Sequence, residues 1–407
     1  MCVPPIPVQA IFIDRDAVRE PLAIRIRERA GNVPVEIVDE KTASSLFDRM
    51  RISKGKQVLY VTRFRGEPVK PCPATAAPYL CCRYTVINTI QQCPMDCTYC
   101  ILQTYLDSPV ITLRADVDTV FGNIDRLLSS QPDRLIRFGT GELGDSLALD
   151  GLTGLSDGFM KFFSGKRNAV LEFKTKTDRI GRLLHLKPKN AVVSWSLNPQ
   201  LVIGNEEFHT AALSERLDAA RKCQEAGYPV GFHFDPVLFF QNWEREYDEV
   251  LRLVFEHVDA SRIAWISLGT LRFPVPLKEI MQERFPKSRI AFAEMVRGPD
   301  GKMRYPRPRR IALYRRIHDF LKAKQQDLFI YFCMEHPSVW DAVTGSHPET
   351  NEELDFWFAQ SLFKRFPELD ISEPRRESYI PSGTTMDGRI LRSREALKSG
   401  LTSTDGS

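Results

Sequence analysis

Nowhere in the 407 residues is there a run of 18 or more apolar residues, so no membrane-spanning helix is expected. The first stretch, MCVPPIPVQAIFIDRD, lacks a basic cluster and a small-residue cleavage site. No secretory leader is therefore expected, and the cytoplasm is the expected compartment. Charge of one sign is not in excess. The 56 basic and 52 acidic residues leave +4, too little to imply nucleic-acid binding by itself. There is no internal repeat beyond an alternation of strand-like and helix-like segments. What remains is ordinary soluble composition, 43% hydrophobic and 27% charged, long enough for one large domain with appendages or for two. Nine cysteines in a reducing compartment are thiols or metal ligands more often than disulfides.

The distribution of charge says more than its sum. Residues 49–70, RMRISKGKQVLYVTRFRGEPVK, carry seven basic residues and one acid, and 304–316, RYPRPRRIALYRR, carry six arginines and no acid. Each reads either as a solvated face or as a phosphate-contacting surface, the second with Tyr305 and Tyr314 as aromatic platforms.

Residues 1–70 read as a small α/β unit, with strands at 9–14, 34–39 and 57–64 and a helix over 16–32 ending at Gly31. A proline-rich linker, 71–81, follows. Strand-like runs at 83–90, 134–140, 168–177, 191–198, 229–237 and 262–271 then alternate with helical patterns at 116–131, 152–165, 178–186, 212–227, 243–258 and 276–285. Six such pairs predict a parallel sheet curled by right-handed crossovers. Six units fall short of the eight that close a barrel. The expected fold class is α/β: a partial (β/α)6 barrel over 82–290, with the small N-terminal α/β unit before it. After it come a C-terminal extension, 291–370, and a polar tail, 371–407, expected to be disordered.

CPMDCTYC, residues 93–100, places three cysteines in a C-x3-C-x2-C spacing just after the first barrel strand, where such barrels put their chemistry. Cys93, Cys97 and Cys100 are three soft ligands within one loop. A zinc site would recruit a fourth from Cys72, Cys81 or Cys82. Three unligated thiols are a second reading. An iron–sulfur cluster with one iron left open is the third.

The triplet, with Tyr99 before its last cysteine, resembles the signature of the radical S-adenosylmethionine (SAM) superfamily. CPMDCTYCILQTYL is similar to the cysteine loop of the spore photoproduct lyase group. LEFKTKT (171–177), VSWSLNPQLVI (193–203), ERLDAARKCQEAGYPVGFHFDPV (215–237) and ISLGTLRF (266–273) also look like their counterparts there. The resemblance implies a radical SAM barrel and a 4Fe-4S cluster on Cys93, Cys97 and Cys100. SAM would be chelated to the open iron and cleaved to a 5′-deoxyadenosyl radical. It implies that Lys176, with Lys174 as the alternative, and Ser196 hold the SAM carboxylate, with Tyr99 a further cofactor contact. Arg304, Tyr305 and Arg310 fall in a region similar to the group's DNA-contacting segment. The implied partners are SAM, an electron donor such as flavodoxin or ferredoxin, and a nucleic acid.

Two positions depart from the group. Ile101 stands where it has a tyrosine. Glu142 stands where it has the cysteine that returns a hydrogen atom to the product radical. GTGE (139–142) instead resembles the glycine-rich segment that binds the SAM amino group in other radical SAM enzymes, which gives Glu142 that role. His233 and Asp235 end the fifth strand as candidates to position substrate or shuttle protons. The expected function is a radical SAM enzyme resembling spore photoproduct lyase. The alternative is an iron–sulfur nucleic-acid-binding or redox-sensing protein without turnover.

Overall fold

The computed structural model describes residues 8–72 and 77–380. Six parallel strands stand side by side in chain order: Thr85–Ile87, Ile136–Gly139, Ala169–Thr175, Ala191–Ser196, Val230–Val237 and Ile263–Thr270. Nearly every residue in them is buried, as expected of a parallel sheet covered on both faces. A seventh parallel strand, Ile330–Phe332, extends one edge, and Val69–Pro71 pairs antiparallel at the other. The sheet is thus an eight-stranded partial barrel.

The crossover helices earn their places by a single apolar stripe. Val117–Ser130 buries Val120, Ile124 and Leu128, and Trp243–His257 buries Tyr247, Val250, Leu251 and Val254, the spacing of one helical face. The helix expected over 178–186 is reduced to a 3-10 turn, Leu183–His185. The Thr177 hydroxyl accepts from the Arg179 N–H. That local bond competes with a helical start in a segment too short to offset the cost of nucleation.

The N-terminal sheet runs in the order Val35–Val38, Ala10–Asp14, Val58–Thr62, Ile111–Arg114 and Ile90–Gln91. Its last two strands come from beyond residue 70, so the chain weaves through this sheet on both sides of the cysteine loop. The observed helix here is Pro21–Arg29, shorter than expected, and Glu40–Phe47, capped by Asp39 on the Thr42 N–H, was not anticipated.

Behind the barrel, Arg307–Lys324 forms a helix burying Leu313, Tyr314, Ile317 and Leu321. Asn351–Arg365, capped by Thr350, packs Phe358 on Trp265, Phe329 and Tyr331. The tail expected to be disordered is ordered as far as residue 380: Tyr379 is buried, and its hydroxyl accepts from the Leu135 N–H. Residues 381–407 lie outside the described residues.

Candidate active site

The C-terminal ends of the barrel strands and the cysteine loop enclose a cavity of about 250 Å³. Cys93, Cys97, Tyr99 and Cys100 enter it from the loop. Glu142 comes from beyond the second strand, Lys174 and Lys176 from the end of the third, Ser196 from the end of the fourth and Asp235 from the fifth. Residues i and i+2 share a strand face, so Lys174 and Lys176 both line the cavity and are not alternatives. His233 is not in the lining. It bonds Glu172 within the barrel, Nε2 to Oε1 at 2.7 Å.

The glycines of GTGE permit close approach. A Cβ at Gly139 would overlap the Tyr84 hydroxyl, and one at Gly141 would lie 2.8 Å from the Lys174 Cβ. Glu142 is thereby brought to Lys174, Oε2 to Nζ at 3.4 Å. Burial lowers the Lys174 pKa, but Glu142, Glu172 and Asp235 outweigh it and raise the net value.

Lys176 belongs to a second charge cluster. Its Nζ donates to Tyr99 Oη at 2.8 Å and to Glu207 Oε1 at 2.9 Å, and lies 3.9 Å from Cys97 Sγ. Glu207 is fully buried and also accepts from Arg216 Nη2 at 2.7 Å, Asn198 Nδ2 at 2.9 Å and the Tyr99 hydroxyl. Burial alone would raise its pKa. Lys176 and Arg216 instead hold it below the usual carboxylate range. Two cations facing one carboxylate leave a positive charge in surplus beside the cysteine loop.

Asp145 fixes the lysine's backbone. Its carboxylate accepts from the N–H groups of Lys176, Leu147 and Ala148 and from the Thr175 hydroxyl, at 2.8–2.9 Å. Glu207 and Asp145 were not singled out from the sequence. GNEEFHT reads as an ordinary polar connection, and only the fold shows that both of its acids are buried, Glu207 the more deeply.

The cysteine loop is braced from outside. The backbone of Asp96–Cys97 pairs antiparallel with Glu207–Phe208. The buried Lys56, from the N-terminal unit, donates to the Met95 carbonyl at 2.6 Å and stands 3.6 Å from Asp96. Arg284 holds both Asp96 oxygens at 2.8 and 2.9 Å. The Met95 N–H donates to Cys93 Sγ at 3.3 Å. Burial pushes the Cys97 thiol up to about 12, with Lys176 partly offsetting it, and raises Cys93 as well.

A buried thiol such as Cys97 ionises readily when a metal replaces its proton. The N–H donor and the two nearby lysines suit sulfur that carries negative charge. Among the described residues no three Cys, His, Asp or Glu side chains are grouped to hold one metal ion, and Cys72, Cys81 and Cys82 do not line the cavity. The fourth ligand that a closed zinc site would recruit is thus not beside the triplet, whereas a cluster distributes three thiolates over separate irons.

The three residues expected at a nucleic acid lie elsewhere and inside. Arg304 is 2% exposed and paired with Asp300, Tyr305 is 1% exposed, and Arg310 is paired with Glu335. An arginine already matched to a buried carboxylate has no free fork to offer a phosphate, so this placement runs against the expected contact.

The family model for spore photoproduct lyase matches residues 8–323. The chain belongs to the spore photoproduct lyase family. Membership makes it a radical SAM enzyme. The spore photoproduct lyase of Bacillus subtilis (strain 168) is 26% identical over 306 residues, covering 71% of this chain and 85% of that protein. The enzyme of Geobacillus sp. (strain Y412MC61) is 26% identical over 301 residues, covering 70% and 85%. Among solved structures, a spore photoproduct lyase complexed with dinucleoside spore photoproduct superposes with a TM-score of 0.71, at 21% identity over 81% of this chain and 99% of that one. A mutant with bound AdoMet and dinucleoside spore photoproduct gives 0.69, at 22% identity over 80% and 98%. The two positions expected from the sequence to depart from the group both line the cavity. Ile101 contributes apolar surface to the cavity, and Glu142 contributes a carboxylate already facing a lysine.

Proposed function

We propose that this member of the family holds a 4Fe-4S cluster on Cys93, Cys97 and Cys100 and SAM on Lys176, Ser196 and Glu142, and that it acts on a nucleic acid, DNA being the first candidate. The observation that carries the reading is the convergence of all six residues, from four separate parts of the chain, on one cavity. Bound there, the two cofactors supply a 5′-deoxyadenosyl radical for hydrogen abstraction, given one electron from a carrier such as flavodoxin or ferredoxin.

The chain's own residues bind and orient. The surplus positive charge of the Lys176–Glu207–Arg216 group suits a carboxylate, to which the Ser196 hydroxyl of the same lining would donate. Glu142 faces an ammonium as it now faces Lys174. Tyr99 acts by positioning: its ring lies 4.9 Å from Lys176 Nζ and its hydroxyl is taken up by Glu207. Ile101, Leu102, Phe273 and Met334 supply apolar lining that limits water. The nucleic-acid substrate is supported by the dinucleoside photoproduct bound in the related structures.

The test is anaerobic reconstitution followed by dithionite, SAM and product chromatography. A brown, oxygen-labile protein that forms 5′-deoxyadenosine is expected, with Cys97→Ala losing both colour and product. A Cys97→Ala protein with full iron and undiminished SAM cleavage would overturn the assignment, while iron without 5′-deoxyadenosine in the wild type would favour a protein that senses redox state.

A further inference from the structure

A second and larger hollow, about 1250 Å³, lies on the outer side of the cysteine loop. Its walls are the helix Gln200–Glu206, the strand Glu207–Phe208 and the segment 284–294 that ends the helix Leu277–Arg284. Four large apolar side chains stand open in it: Leu201, Phe208, Phe239 and Phe292, the last 60% exposed. A contiguous apolar surface of this kind on a soluble protein marks an interaction site.

The partition between this groove and the cavity is thin. Phe208 pairs with Asp96, and Glu207 with Cys97, across a two-residue antiparallel ladder. Thr98 Oγ1 donates to Glu206 Oε2 at 2.7 Å, and Arg284 clasps Asp96. Phe208 on the groove side is thus one residue removed in register from a cavity cysteine.

The charge of the groove is basic. Arg284, Lys287, Arg289 and Arg309 line it against Glu206 and Glu294. Glu206 is engaged with Thr98, and Glu294 lies 3.3 Å from Arg309. Arg284 Nη2 also bonds Ser53 Oγ at 2.8 Å, and Arg51 and Lys54, close in sequence to Ser53, are exposed.

Resting on the radical SAM reading above, we infer that this groove is the docking surface for an acidic one-electron carrier protein. The carrier would give up one electron to the cluster proposed on Cys93, Cys97 and Cys100, across the ladder that pairs Glu207 with Cys97. The rings argue for a protein rather than for bases of a single strand. Phe208 and Phe285 stack on each other with centroids 5.8 Å apart, and the Arg309 and Arg284 guanidinium groups lie 4.2 Å and 4.8 Å from the rings of Phe239 and Phe285. Faces already covered offer poor stacking platforms. Apolar edges inside a basic rim suit a partner that brings its own acidic rim and an apolar centre.

The experiment uses the reconstituted full chain and an acidic flavodoxin with its reductase. The charge-reversed Lys287→Glu/Arg289→Glu protein should bind flavodoxin at least 10-fold more weakly by calorimetry at low salt. Wild-type binding should weaken as salt rises. Flavodoxin-driven formation of 5′-deoxyadenosine should fall by a similar factor, while the dithionite-driven rate stays within twofold of wild type. Unchanged flavodoxin affinity in the variant overturns the proposal. So does an oligothymidylate that competes with flavodoxin and loses affinity on charge reversal, since the groove then belongs to nucleic acid. Absence of 5′-deoxyadenosine from the wild type with either reductant sinks the functional reading instead, and the binding measurement still decides the surface.

Discussion

Glu207 shows what a single residue decides in this protein. It is wholly enclosed, yet three side chains that matter to the cavity, Lys176, Tyr99 and Arg216, take their positions from it. A buried carboxylate facing two cations is costly to bury and costly to disturb. Its presence makes Lys176 a fixed charge rather than a mobile arm. Replacing Lys176 with Ala leaves Glu207 matched by Arg216, so the fold should tolerate the change while the surplus charge disappears. Lys176→Ala and Ser196→Ala should each weaken SAM binding by about 1.5–3 kcal/mol, roughly 10- to 150-fold, with iron content unchanged because neither residue is a cysteine ligand. Equilibrium dialysis of SAM against the reconstituted proteins measures this, and wild-type affinity in both variants would refute the placement. Glu142→Gln should loosen SAM as well, by removing the charge that faces its ammonium. Cys93, Cys97, Cys100 and Lys176 could be singled out from the sequence because spacing and resemblance mark them. Glu207 could not, since its four partners, Tyr99, Lys176, Asn198 and Arg216, come from four separate stretches of chain and nothing local distinguishes it from its neighbour Glu206.

Among the elements, the six barrel strands were legible because parallel strands buried on both faces read as unbroken apolar runs closed by turn residues. AVVSWS and IAWISLGT are of that kind. The strand Ile111–Arg114 was not legible. It is four residues long, and its partner, Val58–Thr62, lies some fifty residues upstream. The helix Arg307–Lys324 was hidden by its arginines. Its buried apolar positions, Leu313, Tyr314, Ile317 and Leu321, keep helical spacing but are outnumbered by seven basic residues, three of which pair with Asp248, Glu294 and Glu335. The brace on the cysteine loop is likewise a matter of two elements meeting. Lys56 follows the short helix Ile52–Gly55, is 2% exposed and reaches the Met95 carbonyl. Burial would lower its pKa, but the cysteines and Asp96 outweigh burial and raise it. Lys56→Met keeps most of the bulk and removes the donor, leaving a carbonyl unsatisfied. The metal-free protein should lose about 1–3 kcal/mol, seen as a lower urea midpoint, and the reconstituted protein should surrender iron to a chelator faster than wild type. Identical midpoints and identical iron loss would show that the contact does not brace the loop.

At the scale of the whole molecule, the barrel interior is held by carboxylates that stay ionised. Burial would raise Glu172, but His233 and Lys174 hold it down to about 2, and Arg272 and Lys174 likewise outweigh burial at Asp235. In the unfolded chain such groups take up protons near pH 4 to 4.5. Below that range the unfolded state binds more protons than the native state, so stability falls as pH drops, until Glu172 itself protonates near pH 2. Denaturant midpoints of the metal-free protein should therefore decline from about pH 4.5 downward, and Glu172→Gln should flatten part of that slope. The same assembly bears on which reaction the cavity can finish. A substrate radical left on a thymine photoproduct must receive a hydrogen atom, and a thiol suits the task because its S–H bond is weak. Among the described residues, the cysteines that line the cavity are Cys93, Cys97 and Cys100, each proposed above as a cluster ligand. Cys333 does not line it; its Sγ lies 3.2 Å from Arg272 Nη2. At the second-strand end stands Glu142, whose carboxylate has no hydrogen atom of that kind to give, and Ile101 supplies no phenol to relay one. The protein should therefore cleave SAM yet convert the dinucleoside photoproduct poorly, or give aberrant products as other reagents quench the substrate radical. Photoproduct dinucleotide incubated with the reduced protein and SAM, with products resolved by chromatography, measures this directly. Clean catalytic conversion to dithymidine would show that Glu142 marks no change of reaction and that the hydrogen comes from a group outside this cavity wall.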